Sequence, residues 1–475
     1  MIMKTGQIKQ GRMKRDPIKK IHLVAACGTG MGTLACILKE MGYEVTGSDQ
    51  NVYPPMSDFL EEKGVRLFSG FDPENLAHGP DLVIIGNAVT RENPEAVAVM
   101  DKKIPYLSMP QAVNKFIAAD KKIILVTGTH GKTTTSSIMA HLLETAGLEP
   151  SFMVGGILKD FNSSFKIGKG HYMVIEGDEY DTAFFDKGPK FMHYDPFITI
   201  MTGVEFDHAD IFRDIDHIKE IFSAFVQKIE CPIIAYQENE NLNLILEGRT
   251  ASVETYGQDG DWWFSDHKTG AGKTFATIHG PGRSFEIETE LVGRHNLLNS
   301  LACIAVAKKM GISDAIVQTA LASFSGVKRR QEIRGVIRGV TVMDDFAHHP
   351  SAVRETIAGV KPFYEKGRVI AVFEPRTNTS MRNFFQQTYP LAFSEADLVL
   401  ICNPCVQKII PEEQRFSPGK LVADINENGG QAHHFETPDR VIEFLVPLVR
   451  ENDLVLIMSN GGFENIHTRL IESLE

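Results

Sequence analysis

The feature that most constrains this chain is the segment from Ile123 to Thr135, which reads IILVTGTHGKTTT. Its first four residues are apolar and predict a buried strand, and the glycines that follow predict a turn. Apolar residues then recur at helical spacing until Gly147, which marks the predicted end of a helix. A Gly-Lys-Thr sequence between a strand and a helix is the context in which backbone N–H groups bind nucleotide phosphate. The predicted phosphate loop comprises Gly128, Thr129, His130, Gly131, Lys132, Thr133 and Thr134.

Two residues of this loop carry most of the predicted chemistry. The Lys132 ammonium is expected to reach the β and γ phosphates, and the Thr133 hydroxyl to hold Mg²⁺. The loop is shorter than the standard P-loop, because only two residues separate Gly128 from Gly131. The alternative interpretation is a glycine-rich connector that carries a surface lysine.

The bulk properties exclude several classes of protein. A chain of 475 residues is too long for one hydrophobic core, so we expect several domains. A net charge of −12 argues against a nucleic-acid-binding protein. No apolar run reaches the ~18 residues of a membrane span, and the basic N-terminus lacks a signal peptide's apolar segment. We therefore expect a cytoplasmic protein without membrane contacts, preceded by a disordered leader over residues 1–20.

The first part of the chain predicts a Rossmann-like unit. A strand at Ile21–Ala26 leads into the loop CGTGMG and a helix, and a second strand at Tyr43–Ser48 ends at Asp49. The glycines do not follow the G-x-G-x-x-G pattern of dinucleotide sites, so a nicotinamide-dependent dehydrogenase is only the alternative from a different class.

Two strands in the middle of the chain end in acidic loops. A strand at Tyr172–Ile175 precedes Glu176–Asp181, which holds four carboxylates in six residues. Such a loop suits Mg²⁺, which takes oxygen ligands, although a solvated acidic loop is the alternative. A second strand, Phe197–Met201, precedes the sequence EFDHAD, which begins at Glu205.

Further along, strands alternate with helices again. Strands at Val340–Met343 and Val369–Phe373 lead into the sequences DDFAHHP and EPRTNTSM, and two more strands are predicted at Leu398–Cys402 and Leu454–Met458. A helix is expected to start at Pro350, a residue favoured in the first turn. This alternation predicts a second doubly wound sheet with its ligands at strand ends.

These motifs, taken together and in this order, resemble those of the Mur ligases, which form amide bonds at the expense of ATP. The resemblance implies an α/β protein of three domains: an N-terminal Rossmann-like domain, a central P-loop-type ATPase domain with a mixed sheet, and a C-terminal Rossmann-like domain. The implied boundaries are 21–119 for UDP-sugar binding, 120–332 for ATP binding and 333–475 for the amine substrate.

The resemblance also implies roles for individual residues. The catalytic set is Lys132, Glu176, His208, Arg330, Asp345 and His348. Thr133, Glu176 and His208 are the implied Mg²⁺ ligands, and His295, Asn296 and Arg330 (preferred to Arg329) join the phosphate loop in binding ATP. The UDP-sugar is assigned to Gly28, Thr29, Gly30, Met31, Gly32, Asp49 and Asn87, and the amine substrate to Arg376, Asn378 and Arg382.

The implied reaction uses ATP and Mg²⁺ as cofactors to convert the lactyl carboxylate of UDP-N-acetylmuramate into an acyl phosphate, which an amine then displaces. Within the family, segments such as 51–56, 86–91, 179–185, 206–212 and 373–379 resemble the members that add the murein tripeptide L-Ala-γ-D-Glu-meso-diaminopimelate in peptidoglycan recycling. Members that add L-alanine alone are the alternative. We expect a monomer or weak dimer.

Overall fold

The computed structural model describes residues 18–52, 56–209, 211–249, 252–404 and 410–475. The expected leader lies outside the described residues as far as residue 17, as do residues 53–55 of the segment 51–56. The chain forms two compact units, one of residues up to 113 with 182–187, the other of 114–181 with 188–475. The three-domain boundaries stay a prediction.

The strands of the described chain follow in order. They are β1 Lys20–Val24, β2 Glu44–Asp49, β3 Arg66–Ser69, β4 Leu82–Ile85, β5 Tyr106–Ser108, β6 Lys122–Thr127, β7 Ser151–Leu158, β8 Ser163–Lys166, β9 Tyr172–Gly177, β10 Asp181–Ala183, β11 Asp186–Pro189, β12 Pro196–Met201, β13 Ile233–Tyr236, β14 Val253–Tyr256, β15 Trp263–Gly270, β16 Lys273–Gly280, β17 Arg283–Thr289, β18 Glu332–Ile337, β19 Val340–Asp345, β20 Val369–Phe373, β21 Leu398–Cys402, β22 Ala432–Phe435 and β23 Leu454–Met458.

The α-helices lie between these strands. They are α1 Thr29–Glu40, α2 Met56–Glu62, α3 Pro94–Asp101, α4 Met109–Val113, α5 Lys132–Thr145, α6 Ile215–Lys228, α7 Glu240–Leu246, α8 Arg294–Lys309, α9 Asp314–Ser323, α10 Pro350–Val360, α11 Tyr389–Ala392, α12 Pro418–Glu427, α13 Pro438–Leu445 and α14 Ile466–Leu474. Among the described residues, no helix combines the length and apolarity needed to cross a membrane.

The first unit is built on a five-stranded parallel sheet in the order β3-β2-β1-β4-β5. After β1 the chain adds β2 and β3 on one side of that strand, and it then crosses over to add β4 and β5 on the other side. The loop after β1 therefore lies at a topological switch point, where open α/β sheets bind ligands.

The second unit contains two large sheets. The first has the order β14-β13-β12-β6-β9-β7-β8, and all its pairs are parallel except the antiparallel edge pair β7/β8. Helices α5 and α8 pack their buried faces into the same apolar core as β6, and the antiparallel sheet β15-β16-β17 adds to that core. The second large sheet has the order β18-β19-β23-β20-β21-β22 and is parallel apart from its β18 edge. The predicted α/β fold class is confirmed.

The predicted elements agree closely with those in the structure, and β20, β21 and β23 have the predicted bounds. One helix is irregular. It is α-helical over Met109–Val113 and continues as a π-helix over Asn114–Ala118. The wider turn keeps Ile117 buried, and the Asn114 amide donates to the His193 carbonyl (2.7 Å).

A prediction on stability follows from Gly367, which precedes β20. A Cβ atom at this position would lie 2.0 Å from the Asn452 carbonyl oxygen, a backbone atom that cannot move aside. We expect Gly367→Ala to lower the free energy of unfolding by about 1–3 kcal/mol, as overpacking does. Gly419→Ala in α12 is the matched control, because a Cβ there meets no atom within 4 Å. Equal urea midpoints for the two variants would contradict the prediction.

Candidate active site

The phosphate loop lies where three parallel strands end together. Thr127, the last residue of β6, pairs with Gly177 of β9 and Met201 of β12. Gly131 caps α5 with a φ of +79°, and a Cβ atom there would lie 2.7 Å from Asn299 Oδ1. Glycine is therefore required at this position both by conformation and by space.

Lys132 projects from the first turn of α5 into a buried, polar neighbourhood. Its Nζ donates to the carbonyls of Gly128 (2.7 Å) and Thr129 (3.2 Å) and to Glu179 Oε2 (2.9 Å). Burial alone would lower the pKa of Lys132, but Glu179 and other nearby carboxylates outweigh burial and raise it. The ammonium therefore stays charged beside the backbone that would cradle a phosphate.

Basic and acidic side chains alternate from Lys132 to His348, which lies two residues before α10. Glu179 Oε1 lies 3.0 Å from His208 Nε2, and Asp207 Oδ2 lies 3.9 Å from the same nitrogen and 3.6 Å from His348 Nε2. Burial alone would lower the pKa of His208, but Glu179 and Asp207 raise it. The structure thus connects three predicted site residues, Lys132, His208 and His348, through two carboxylates.

Thr133 and Glu176, two of the three implied Mg²⁺ ligands, are in contact. Thr133 Oγ1 donates to Glu176 Oε2 (3.2 Å), and the Gly155 amide donates to Glu176 Oε1 (2.6 Å). Burial and the charge of Asp178 raise the pKa of Glu176 to about 7. A desolvated carboxylate beside a second carboxylate and a hydroxyl is a suitable oxygen donor set for Mg²⁺. The third implied ligand, His208, contacts Glu179 instead.

A cavity of about 220 Å³ adjoins the phosphate loop and reaches the start of α8. His295 Nδ1 and Gln331 Nε2 are buried there, and no described residue forms a hydrogen bond with either atom. The Asn296 amide group, by contrast, donates to the Val292 carbonyl (2.8 Å) and to Gln331 Oε1 (3.1 Å). Because buried polar groups are normally paired, His295 and Gln331 are the groups best placed to bond a ligand. The role of Asn296 toward adenine stays a prediction.

The two neighbouring arginines have different surroundings. Arg330 lines the cavity, and its guanidinium lies 4.7 Å from the Phe346 ring centroid. Arg329 instead donates to the carbonyls of Ser459 (2.7 Å) and Gly461 (2.5 Å). Asp345 accepts from the amide of Gln331 (2.8 Å), and thereby holds this segment against the cavity. Of the two, only Arg330 lines the cavity, and its contact with phosphate stays a prediction.

The carboxyl end of the second large sheet presents Arg376. Its Nη1 lies 3.6 Å from the buried Glu374 Oε1, and Ser459 Oγ donates to Glu374 Oε2 (2.7 Å). Gly461 lies directly beneath the arginine, because a Cβ there would be 2.1 Å from Arg376 Cδ and Nε. Glu374, Ser459 and Gly461 thus fix where the guanidinium points.

The other two residues expected to bind the amine substrate contact each other rather than Arg376. Arg382 Nε donates to Asn378 Oδ1 (2.7 Å), and Arg382 Nη1 donates to Gln414 Oε1 (2.5 Å). The same loop reaches the phosphate-loop side of the unit, because Thr379 Oγ1 accepts from the amide of Ala209 (3.1 Å). This contact joins the Arg376 loop to the segment that carries His208.

The residues expected to bind the UDP-sugar lie in the first unit. Gly28 precedes α1, whose first turn contains Thr29, Gly30, Met31 and Gly32. Asp49, at the end of β2, accepts from the amides of Cys27 (2.8 Å) and Asn51 (2.9 Å). Asn87 follows β4 and is exposed. The glycine loop, Asp49 and Asn87 thus follow three neighbouring strands of one sheet, and their binding role stays a prediction.

Sequence reasoning missed three residues that shape the site. Glu179 pairs with Lys132, Gln331 leaves a donor in the cavity, and Gly461 supports Arg376. The acidic run after β9 identified the neighbourhood of Glu179 but not which carboxylate meets the lysine. No sequence pattern distinguishes Gln331 or Gly461.

Three family models match successive parts of the chain. Residues 20–121 match the model "Mur ligase family, catalytic domain", residues 126–307 the Mur ligase middle domain, and residues 329–461 the model "Mur ligase, glutamate ligase domain". The UDP-N-acetylmuramate--L-alanyl-gamma-D-glutamyl-meso-2,6-diaminoheptandioate ligase of Escherichia coli K12 is 40% identical over 460 residues, 96% of this chain and 98% of that protein. The UDP-N-acetylmuramate--L-alanine ligase of Syntrophomonas wolfei is 35% identical over 472 residues, 97% of this chain and 98% of that protein.

A solved structure agrees with these matches. The crystal structure of a murein peptide ligase from Psychrobacter arcticus 273-4 superposes with a TM-score of 0.71 at 32% identity, covering 96% of this chain and 99% of the other. The family inferred from the sequence motifs is confirmed. The chain belongs to the Mur ligase family, the ATP-dependent ligases that form amide bonds and release ADP.

Proposed function

We propose that this protein joins the tripeptide L-Ala-γ-D-Glu-meso-diaminopimelate to the lactyl carboxylate of UDP-N-acetylmuramate, as the name of its Escherichia coli relative describes. The observation that carries the proposal is the contact between Ala209 and Thr379, which brings the Arg376 loop to the segment beside the phosphate loop. An amine held by the Arg376 loop thereby comes close to a carboxylate activated at the phosphate loop.

The first half of the proposed reaction takes place at the phosphate loop. A free carboxylate cannot expel oxide, so the lactyl carboxylate attacks the γ phosphate of ATP and forms an acyl phosphate. Lys132 and Arg330 spread the negative charge that develops on the transferred oxygens. Thr133 and Glu176, with His208, would hold Mg²⁺, which supplies further positive charge to the phosphates. His295 and Gln331 bond the nucleotide in the cavity.

The second half forms the amide. The α-amine of the tripeptide attacks the acyl carbon, and phosphate leaves from the tetrahedral intermediate. Arg376, whose Nη1 lies 3.6 Å from Glu374 Oε1, binds a carboxylate of the peptide, because its planar guanidinium matches that group. Asn378 and Arg382 form a second polar group on the same loop. The reactants and ATP are cytoplasmic metabolites, which places the reaction in that compartment.

The alternative amine is L-alanine, which the Syntrophomonas wolfei relative uses by name. The two substrates differ in charge, since the tripeptide carries three carboxylates and two amino groups, whereas alanine carries one of each. The number of fixed positive groups around Arg376 therefore decides between them.

We expect Lys132→Ala to lower the rate of ADP release by at least about 100-fold, because one charge-stabilising donor typically contributes that much. Lys166→Ala is the matched control, since its Nζ pairs with Glu144 at the surface. A Lys132→Ala variant that keeps more than a tenth of the wild-type rate would overturn the assignment.

Loss of Lys132 also leaves the buried Glu179 with His208 as its remaining basic neighbour, so we expect a loss of stability of up to about 3–5 kcal/mol. The double variant Lys132→Ala/Glu179→Gln separates the two effects. It is expected to recover most of the melting temperature and none of the turnover.

The choice of amine is tested by measuring ADP release with each substrate. We expect kcat/KM for the tripeptide to exceed that for L-alanine by at least about 100-fold, or ~2.7 kcal/mol of transition-state binding. Arg376→Ala is expected to reduce tripeptide use more than tenfold without changing the KM for ATP. Arg440→Ala is the control, because this exposed arginine pairs only with Glu443 among the described residues. Equal kcat/KM values for alanine and the tripeptide would contradict the proposal and favour the alanine-adding reaction.

Gly461 offers a test that leaves Arg376 itself unchanged. In Gly461→Ala the new methyl group displaces the flexible Arg376 side chain, so we expect the KM for the tripeptide to rise at least about fivefold. Gly462→Ala is the adjacent control, since a Cβ at that position meets no atom within 4 Å. If both variants keep the wild-type KM, the position of Arg376 does not govern peptide binding.

A further inference from the structure

Three side chains from separate parts of the second unit converge beside the nucleotide cavity. His130 belongs to the phosphate loop, Glu205 follows β12, and His349 immediately precedes α10. His130 Nε2 and His349 Nδ1 each lie 3.6 Å from Glu205 Oε2, and one ligand atom of each residue lies within 4.8 Å of the others. The two imidazole rings are 4.4 Å apart between centroids.

The hydrogen bonding of this cluster is incomplete. At 3.6 Å, neither imidazole forms a normal hydrogen bond with the carboxylate. His130 Nε2 and His349 Nε2 are buried and have no hydrogen-bond partner among the residues that the structure describes. His349 Nδ1 accepts a long bond from the Ser351 amide (3.3 Å), and it would have to give up this bond to coordinate a metal through its single lone pair. Nitrogen atoms in such a position are normally paired, so the cluster calls for a further bonding partner.

Two of the three spacings are close to those of a tetrahedral metal site, and the remaining pair of ligand atoms lies within 4.8 Å. Ligand bonds of about 2.0–2.2 Å to Zn²⁺ place neighbouring ligand atoms about 3.4 Å apart. The observed 3.6 Å separations differ from this by a small side-chain rotation. Ser351 Oγ donates to Glu205 Oε2 (2.7 Å), the kind of outer hydrogen bond that orients a metal-binding carboxylate.

We propose that His130, Glu205 and His349 bind a divalent cation of the zinc type. Two imidazoles and one carboxylate favour Zn²⁺, Co²⁺ or Ni²⁺ over Mg²⁺, which prefers oxygen ligands. The three protein ligands leave a fourth position for water or an anionic oxygen. Because His130 lies in the phosphate loop and His349 at the start of α10, the ion ties these two elements together.

This site is separate from the oxygen-rich set proposed for Mg²⁺. Thr133 and Glu176 contact each other, and His208 contacts Glu179 and Asp207 rather than Glu205. Excess Mg²⁺ therefore fills the oxygen-rich set without occupying the imidazole site.

Cobalt provides a direct test, because tetrahedral Co²⁺ absorbs visible light much more strongly than octahedral Co²⁺. Co²⁺ is titrated into the full-length protein with excess Mg²⁺ and no nucleotide, and Zn²⁺ is then added to displace it. We expect one tetrahedral Co²⁺ per chain, and Zn²⁺ to raise the melting temperature by binding the folded state.

The variants identify the ligands. His349→Asn removes the imidazole but keeps an oxygen able to cap α10, and Glu205→Gln keeps the shape of the carboxylate. Each is expected to weaken Co²⁺ binding at least about 100-fold, and His130→Asn serves if either fails to fold.

The controls His433→Asn and His208→Asn are expected to bind Co²⁺ as the wild type does. Absence of a tetrahedral spectrum, binding unaffected by the ligand variants, or loss of binding in His208→Asn would each overturn the proposal. The readout is independent of ligation, so its failure would leave the proposed reaction untouched.

Discussion

The buried ion pair between Lys132 and Glu179 is the interaction on which the candidate active site depends. Burying a lysine costs several kcal/mol unless an opposite charge and hydrogen bonds compensate for the lost water. Glu179 and two loop carbonyls provide that compensation, and Glu179 in turn contacts His208. We therefore propose that the phosphate loop keeps its shape without a nucleotide, and that Lys132 exchanges Glu179 for a phosphate when one binds.

The register of the parallel sheets explains why distant residues meet. Thr127 lies opposite both Gly177 and Met201, each at the end of its strand. The loops that follow these three adjacent strands therefore lie at the same edge of the sheet. The second large sheet repeats this arrangement, with Phe373 and Asp345 both opposite Met458. Loops from the two sheets then touch through Ala209 and Thr379, which assembles one site from two repeats of the same architecture.

The strands and helices could be predicted from the sequence because the patterns that specify them are local. Apolar runs such as Val369–Phe373 and stop signals such as Gly147 specify strands and helix ends without knowledge of their neighbours. Side-chain partners are a different matter, since they depend on contacts between residues far apart in the chain. The sequence does not distinguish the four carboxylates of Glu176–Asp181, and only their three-dimensional placement shows that Glu179 contacts Lys132 while Glu176 contacts Thr133. Arg329 and Arg330 differ in the same way.

Buried polar atoms that lack a hydrogen-bond partner among the described residues mark the candidate positions for ligands. A folded chain seldom buries a polar atom unpaired, because each such atom costs about 1–3 kcal/mol. Here several of them lie in or beside one cavity: His130, His295 and Gln331 line it, and the His349 ring lies 4.4 Å from the His130 ring. The two sides call for different chemistry. His295 and Gln331 can bond the polar edge of a nucleotide, whereas two imidazoles facing a carboxylate suit a cation. On the proposals made above, the nucleotide and the metal ion would therefore bind next to each other, with His130 at the boundary between them.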